Sequence, residues 1–131
     1  MTVSDSPYGA MELAVAKDTG PYICGLDAAM DVVGGKWKAL ILWALDDGGT
    51  LRFGRLRRQV PGVSEKMLIQ QLRELEADGI VHREVYREVP PRVEYSLTEM
   101  GQGLNAALAP LGAWANEHME QILSAKQRDV A

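Results

Sequence analysis

The sequence predicts a mainly α-helical fold with one small antiparallel β-hairpin (α+β), and three observations support this prediction. Apolar residues recur at helical spacing through most of the chain between residues 25 and 123. The period changes from about 3.6 to 2 only between residues 81 and 97, where two strands are indicated. Hydrophobic residues make up 47% of the 131 residues, which suits one folded domain of ordinary size.

Hydropathy and cysteine content narrow the location and the class of protein. No apolar run approaches the roughly 18 residues that a membrane span requires, and residues 1–20 lack a basic stretch followed by an apolar core. We therefore expect a cytoplasmic protein with no membrane partner. The single cysteine, Cys24, excludes an internal disulfide framework and a multi-cysteine zinc site.

The distribution of charge points to a polyanionic partner, although the total does not. The net charge is −4, but residues 50–73 hold six basic side chains against one acidic side chain. A local field, rather than the total charge, determines where a polyanion docks. A merely solvated basic face is the alternative explanation.

The chain divides into an N-terminal arm, one domain and a tail. Residues 1–20 show weak periodicity and are predicted to be a flexible arm, residues 21–123 form the domain, and residues 124–131 form a C-terminal tail. The first helix, residues 25–33, places Asp27 and Asp31 one turn apart on one face. Because no histidine or metal-ligand cluster accompanies them, a solvated face is preferred to acid–base chemistry.

A strongly apolar helix is predicted for residues 36–46, after Gly34 and Gly35 interrupt the chain. Its apolar stripe makes it the central core helix, formed by Trp37, Leu40, Ile41, Leu42, Trp43, Ala44 and Leu45. Lys36 and Lys38 at its start suit the helix dipole poorly. Anion binding at that end would explain them, and chance explains them equally well.

A short helix, a tight turn and a second, longer helix follow. Residues 53–60 place Phe53, Leu56 and Val60 on one face, and residues 61–64 form a turn containing proline and glycine. Residues 64–78 form an amphipathic helix with Ser64 at the N-cap position. Its apolar side holds Leu68, Leu72 and Leu75, and its polar side holds Lys66, Gln70 and Arg73. This is a helix-turn-helix arrangement.

A hairpin follows directly. Side chains alternate over residues 81–88 and 93–97, and Pro90 with Pro91 marks the connection, since proline is excluded from a central strand. A hairpin after a helix-turn-helix makes a winged helix. Arg87 and Arg92 would flank the tip of the wing.

The last predicted helix spans residues 98–123, with Thr98 as its N-cap. Pro110 lies inside it and is expected to bend or break it. Apolar residues at heptad-like spacing form a seam too long for this domain to cover, so a partner subunit is expected there. The predicted dimer interface consists of Leu104, Leu108, Leu111, Trp114, Ala115, His118 and Ile122.

Three segments resemble the HxlR-type winged helix-turn-helix transcriptional regulators of bacteria and archaea. These are residues 33–38 (VGGKWK), 67–79 (MLIQQLRELEADG) and 89–98 (VPPRVEYSLT), and the similarity runs in register over residues 24–118. The resemblance implies a homodimer built through the terminal helices and control of nearby genes by operator binding. It also implies that the helix after Ser64 is the recognition helix and that the hairpin is the wing.

The resemblance also draws attention to Cys24. Many similar family members carry a cysteine ten residues before the glycine pair, and in several it senses electrophiles or oxidants. Here Gly25 follows, where the family often has proline. A thiol at a helix N-terminus has its thiolate favoured by the dipole, but Asp27 opposes this. A small buried hydrophobe is the alternative role for Cys24.

We therefore predict a dimeric, sequence-specific DNA-binding regulator that recognises a pseudo-palindromic double-stranded operator, with no cofactor, no metal and no catalytic residues. Bases would be contacted by Lys66, Gln70 and Arg73, with Ser64 and Gln71 at the margin. Phosphates would be contacted by Arg52, Arg55 and Arg58. At the wing, Arg87 and Arg92 would reach either a minor groove or a phosphate.

Two alternatives remain open at this point. The same regulator could be gated by a small apolar ligand, because Trp37, Trp43, Trp114 and several methionines would line an interface between the last helix and the core. The winged helix could instead serve only as a protein-interaction module. An enzyme is disfavoured, because His82 and His118 have no sequence neighbours for a triad or metal set and no phosphate-binding glycine loop is present.

Overall fold

The structure, a computed structural model, describes residues 18–130. The chain divides into two compact units after Gly35. Most of the arm predicted for residues 1–20 lies outside the described residues, and the predicted domain boundaries stay predictions.

The described part of the first unit contains one helix, α1 (Gly25–Val33), as expected. Both aspartates of α1 hold the segment that leads into it. Asp27 Oδ2 accepts a hydrogen bond from the Ile23 backbone N–H at 2.9 Å, and Asp31 Oδ2 accepts one from the Tyr22 hydroxyl at 2.6 Å. Both carboxylates therefore accept hydrogen bonds from residues just before α1, in addition to facing solvent.

Residues 36–130 of the second unit contain five helices and three strands. They are α2 (Trp37–Gly48), β1 (Leu51–Arg52), α3 (Phe53–Gln59), α4 (Glu65–Ala77), β2 (Val81–Tyr86), β3 (Arg92–Leu97), α5 (Glu99–Glu117) and α6 (Met119–Val130). The predicted mainly α fold with a winged helix-turn-helix is confirmed. Within residues 18–130, no helix combines the length and the apolar character that crossing a membrane requires.

The sheet has three antiparallel strands in the order β1-β3-β2, so the predicted hairpin gains a third member. Leu51 in β1 lies opposite Tyr95 in β3. In the hairpin, Arg83 lies opposite Tyr95 and Val85 opposite Val93. Because directly opposite residues share a face of a sheet, these residues lie on the same face as the buried Leu51.

The core forms where α2, α3 and α4 meet β1 and the start of β2. Its buried side chains are Ile41, Leu42, Ala44, Leu45, Leu51, Leu56, Val60, Val63, Leu68, Leu72, Leu75, Ile80 and Val81. The predicted stripe on α2 was too wide, because Leu40 and Trp43 are 40% and 60% exposed. At 100° per residue, the four buried side chains of α2 between residues 41 and 45 span about 160° of the helix. Leu40 and Trp43 lie outside this arc, which a simple count of apolar residues does not reveal.

The terminal helices differ from the prediction at two points. Pro110 lies inside α5 without ending it. The carbonyl that Pro110 leaves without a donor belongs to Ala106, and both residues are exposed, so water can satisfy it. The break instead falls at His118, whose ring stacks on Trp114 with centroids 5.0 Å apart. The chain then stays helical to Val130, beyond residue 123.

Candidate nucleic-acid interface

The turn between α3 and α4 sets the direction of the second helix. Gly62 has φ +90°, a conformation that other residues rarely adopt. Ser64 caps α4, and its Oγ accepts a hydrogen bond from the Met67 backbone N–H at 3.1 Å. Leu68 and Leu75 are completely buried and fix one side of the helix to the core. The opposite side of α4 is therefore held facing outward.

The outward side of α4 carries three side chains with hydrogen-bonding groups suited to base edges. Lys66, Gln70 and Arg73 are exposed, and they line a shallow concavity of about 770 Å³ together with Glu65, Ile69 and Glu74. Lysine and arginine suit guanine, and glutamine suits adenine. The structure thus brings together the three residues that we expect to contact bases.

Glu74 on this face is neutralised from within the protein. Lys38 Nζ lies 3.0 Å from Glu74 Oε1, and Lys38 is buried with 6% of its surface exposed. Lys38 is therefore committed to an internal ion pair and forms no anion site at the start of α2. Lys36 Nζ lies 4.8 Å from the centroid of the Trp37 ring. The sequence alone did not distinguish anion binding from chance as the reason for these two lysines.

Three of the predicted phosphate contacts lie together. Arg52, Arg55 and Arg58 are exposed, and all three line one concavity of about 820 Å³ between β1 and α3, to which Asp47 and Glu94 also contribute. Arg57, on another side of α3, lies 3.8 Å from Glu65 at the start of α4. Three cations against two carboxylates leave this concavity net positive.

The guanidinium of Arg92, one of the predicted DNA contacts, makes several contacts inside the wing. It lies 3.0 Å from Glu88 and 3.8 Å from Glu94, and it stacks over the Tyr86 ring at 4.0 Å. Its Nε is buried without a hydrogen-bond partner. These contacts hold Arg92 within the wing, and its contact with DNA stays a prediction. Arg87 is exposed and forms no ion pair among the side chains of residues 18–127.

Two marginal candidates on α4 are also occupied. The Gln71 side-chain amide donates to Met67 Sδ at 3.3 Å and is half-buried, so it lies along the helix. The Ser64 hydroxyl oxygen already accepts the capping hydrogen bond. Neither side chain is as free as Gln70 to meet a base.

Arg83 was not among the predicted contacts, yet it lies beside the outward face of α4. It lines a concavity of about 390 Å³ with Arg73, Glu76, Tyr95, Ile69 and Leu72. Alternation in β2 already placed Arg83 on the same face as Val81. The alternation indicated that this face of the strand turns toward the helices. It did not indicate that Arg83 would lie near α4.

The predicted dimer seam is partly uncovered within this chain. Leu111 and Trp114 are 59% and 54% exposed, and the other members, Leu104, Leu108, Ala115, His118 and Ile122, are half-buried. Cys24, the N-cap of α1, is a half-buried free thiol. Across residues 18–130, no three His, Cys, Asp or Glu side chains come together as a metal site requires.

Comparison with known proteins identifies a matching family. The model of the HxlR-like helix-turn-helix family matches residues 32–123. A relative from Bacillus subtilis, the uncharacterized HTH-type transcriptional regulator YdeP, is 44% identical over 99 residues, which are 76% of this chain and 77% of YdeP.

Two solved structures are also similar. One is the redox regulator HypR in its reduced form, which is 46% identical with a TM-score of 0.70, over 76% of this chain and 97% of that chain. The other is the diamide-treated YodB from B. subtilis, which is 38% identical with a TM-score of 0.62, over 72% of this chain and 93% of that one.

Proposed function

We propose that this chain, which belongs to the HxlR-like helix-turn-helix family, works as a homodimer that binds a pseudo-palindromic operator in double-stranded DNA. Membership of the family makes the chain a helix-turn-helix transcriptional regulator that binds DNA, rather than an enzyme. The dimer, the form of the operator and the residue roles below are the proposal.

The orientation of α4, the recognition helix, is the observation that carries the proposal. Its leucines are buried, while Lys66, Gln70 and Arg73 are exposed along one concave face. An α-helix fits the major groove, where each base pair presents a distinct pattern of donors and acceptors. We therefore assign base contacts to these three side chains.

The remaining cations would position the helix on the duplex. Arg52, Arg55 and Arg58 share one net positive concavity, which suits phosphate oxygens of the backbone. Arg87 at the exposed side of the wing would contact an adjoining phosphate. In a dimer, two recognition helices about 34 Å apart would enter successive major grooves on one side of the duplex.

Selection of bound duplexes from a random-sequence library by the purified protein tests this proposal. We expect enrichment of an inverted repeat whose half-sites lie about 10 base pairs apart centre to centre. Binding to the selected duplex should weaken steeply with salt, because phosphate contacts release counterions. Recovery of no enriched sequence, with weak and salt-insensitive binding, would favour a protein-interaction module instead.

We further propose that Cys24 makes operator binding responsive to oxidants or electrophiles. One similar structure is named a redox regulator, and another was treated with diamide. Cys24 is a free, half-buried thiol at the N-cap of α1.

Gating by a small apolar ligand stays a second candidate. Trp43 and Trp114 expose more than half of their surface, so a dimer interface could cover them and leave room for an effector. The concavities described above are lined mainly by side chains of α3, α4, β2 and β3 rather than by these tryptophans. A compound panel that shifts the thermal midpoint of protein with blocked Cys24 would support this version.

A further inference from the structure

A small concavity lies where the recognition helix approaches the wing. It encloses about 390 Å³ and is lined by Ile69, Leu72, Arg73, Glu76, Arg83 and Tyr95. The first four residues come from one side of α4, and the last two lie opposite each other on β2 and β3. This concavity shares Arg73 with the outward face of α4.

The register of the hairpin explains why an arginine stands there. Arg83 shares a face of the sheet with Val81 and Val85. Val81 is buried and Val85 is 45% exposed, so this face leaves the core between these two residues. Arg83 lies at this edge of the core. It is exposed to solvent but is on the side of the sheet that meets α4.

The two arginines of this concavity outnumber its carboxylates. Neither Arg73 nor Arg83 forms an ion pair within 4.0 Å among the side chains of residues 18–127. Arg57 and Arg92, in contrast, both have carboxylate partners. Glu76 lines the concavity without reaching either arginine, and buried Leu72 lowers the local polarity. Two cations against one carboxylate leave one positive charge available.

We propose that Arg83 holds one phosphodiester of the DNA strand that passes between the recognition helix and the wing, while Arg73 beside it keeps its proposed base contact and adds to the positive charge of the concavity. This assignment rests on the proposed function. When α4 occupies a major groove and the wing lies over the neighbouring minor groove, the backbone separating the two grooves crosses the gap between them. One phosphate carries one negative charge, which matches the charge that the concavity leaves unpaired. Guanidinium groups bind phosphate oxygens in a planar, bidentate geometry.

The salt dependence of binding tests the role of Arg83. With the duplex recovered from the library, Arg83→Gln should reduce the slope of log affinity against log salt by about 0.9, the value for one lost phosphate contact. It should weaken binding to the selected duplex and to an unrelated duplex by the same factor. Arg83→Lys should keep most of the slope. Lys126→Gln, which removes the same charge from exposed α6, should leave the slope unchanged.

A scan with methylphosphonate linkages identifies the phosphate itself. Replacing single phosphodiesters by this uncharged group should produce one position per half-site whose effect on the unaltered protein disappears in Arg83→Gln. An unchanged slope in Arg83→Gln, or identical methylphosphonate profiles for the two proteins, would overturn this assignment while leaving the proposed function intact. Failure of the unaltered protein to bind any duplex would overturn both.

Discussion

Lys38 Nζ lies 3.0 Å from Glu74 Oε1, and this ion pair joins the core helix α2 to α4, the proposed recognition helix. The two side chains differ in environment, since 8% of the lysine side chain and 46% of the glutamate side chain are exposed. A charge left alone on the lysine would stay buried, whereas a charge left alone on the glutamate would meet water. Loss of the glutamate should therefore destabilise the protein more than loss of the lysine.

We expect Glu74→Gln to destabilise the protein more than Lys38→Met. The first change leaves a buried ammonium without a charged partner, at a cost of about 1–3 kcal/mol. The second leaves a half-exposed carboxylate that water can solvate, at a cost below about 1 kcal/mol. Urea unfolding at one fixed protein concentration measures both. Arg57→Gln, in an exposed pair, should change stability by less than about 1 kcal/mol, and the reverse order of the first two variants would contradict the asymmetry.

Two glycines of α5 should respond to alanine with opposite signs. A methyl group added at Gly101 would overlap the backbone oxygen of Ile80, whereas one added at Gly103 would meet no atom within 4 Å. Gly101→Ala should therefore cost about 1–3 kcal/mol through overpacking. Gly103→Ala should stabilise the protein by about 0.5–1 kcal/mol through helix propensity. Thermal or urea unfolding distinguishes the two, and equal effects would show that α5 does not press on Ile80.

Local sequence patterns predicted the helices and strands because each pattern depends only on residues that are close together in the sequence. The leucine spacing of α4, the Ser64 cap and the alternation of β2 and β3 all act over a few residues, and the structure contains each of them. The wing tip followed from the exclusion of proline from a central strand. The outward placement of Gln70 followed from the same helical period that buries Leu68.

The missed features depend on residues that are distant in the sequence. Lys38 and Glu74 are 36 residues apart, so no local pattern could pair them. Residues 51–52, too short to predict as more than a minimal strand, join the sheet because they pair with Tyr95 and Glu94. Arg92 looked like a free cation at the wing tip until the fold placed Tyr86 and two carboxylates around it. Composition alone cannot distinguish a cation that binds DNA from one already neutralised.

Gln70→Ala should reveal whether this side chain contacts a base. Gln70 is exposed on the outward face of α4, and a bidentate contact to adenine contributes about 1–3 kcal/mol of discrimination. We expect that loss on the selected duplex and little change on duplexes in which the contacted base pair is substituted. Fluorescence anisotropy titrations at one salt concentration measure both. Equal weakening on every sequence would assign Gln70 to a non-specific role.

Cys24→Ser should bind the operator like the unaltered protein but lose its response to diamide. Diamide takes two electrons and two protons from a pair of thiols, and this chain has a single cysteine. The second thiol must therefore come from the other subunit or from a small thiol such as glutathione. Gel shifts with and without diamide, together with intact-mass measurement, follow both steps. A serine variant whose operator affinity still changes normally with diamide would rule out Cys24 as the sensor.

Leu111→Glu should separate the subunits and thereby weaken operator binding. Leu111 is 59% exposed on α5, next to the exposed Trp114 on the predicted seam, and burying a carboxylate in an apolar interface is strongly unfavourable. Sedimentation velocity should show dimer for the unaltered protein and mainly monomer for this variant at micromolar concentration. The matched control is Ala113→Glu. Ala113 is exposed on the same helix but lies about 160° around it at 100° per residue, and its variant should stay dimeric. A Leu111→Glu protein that remains a dimer would place the interface elsewhere. A monomer that binds the selected duplex with undiminished affinity would show that one recognition helix suffices.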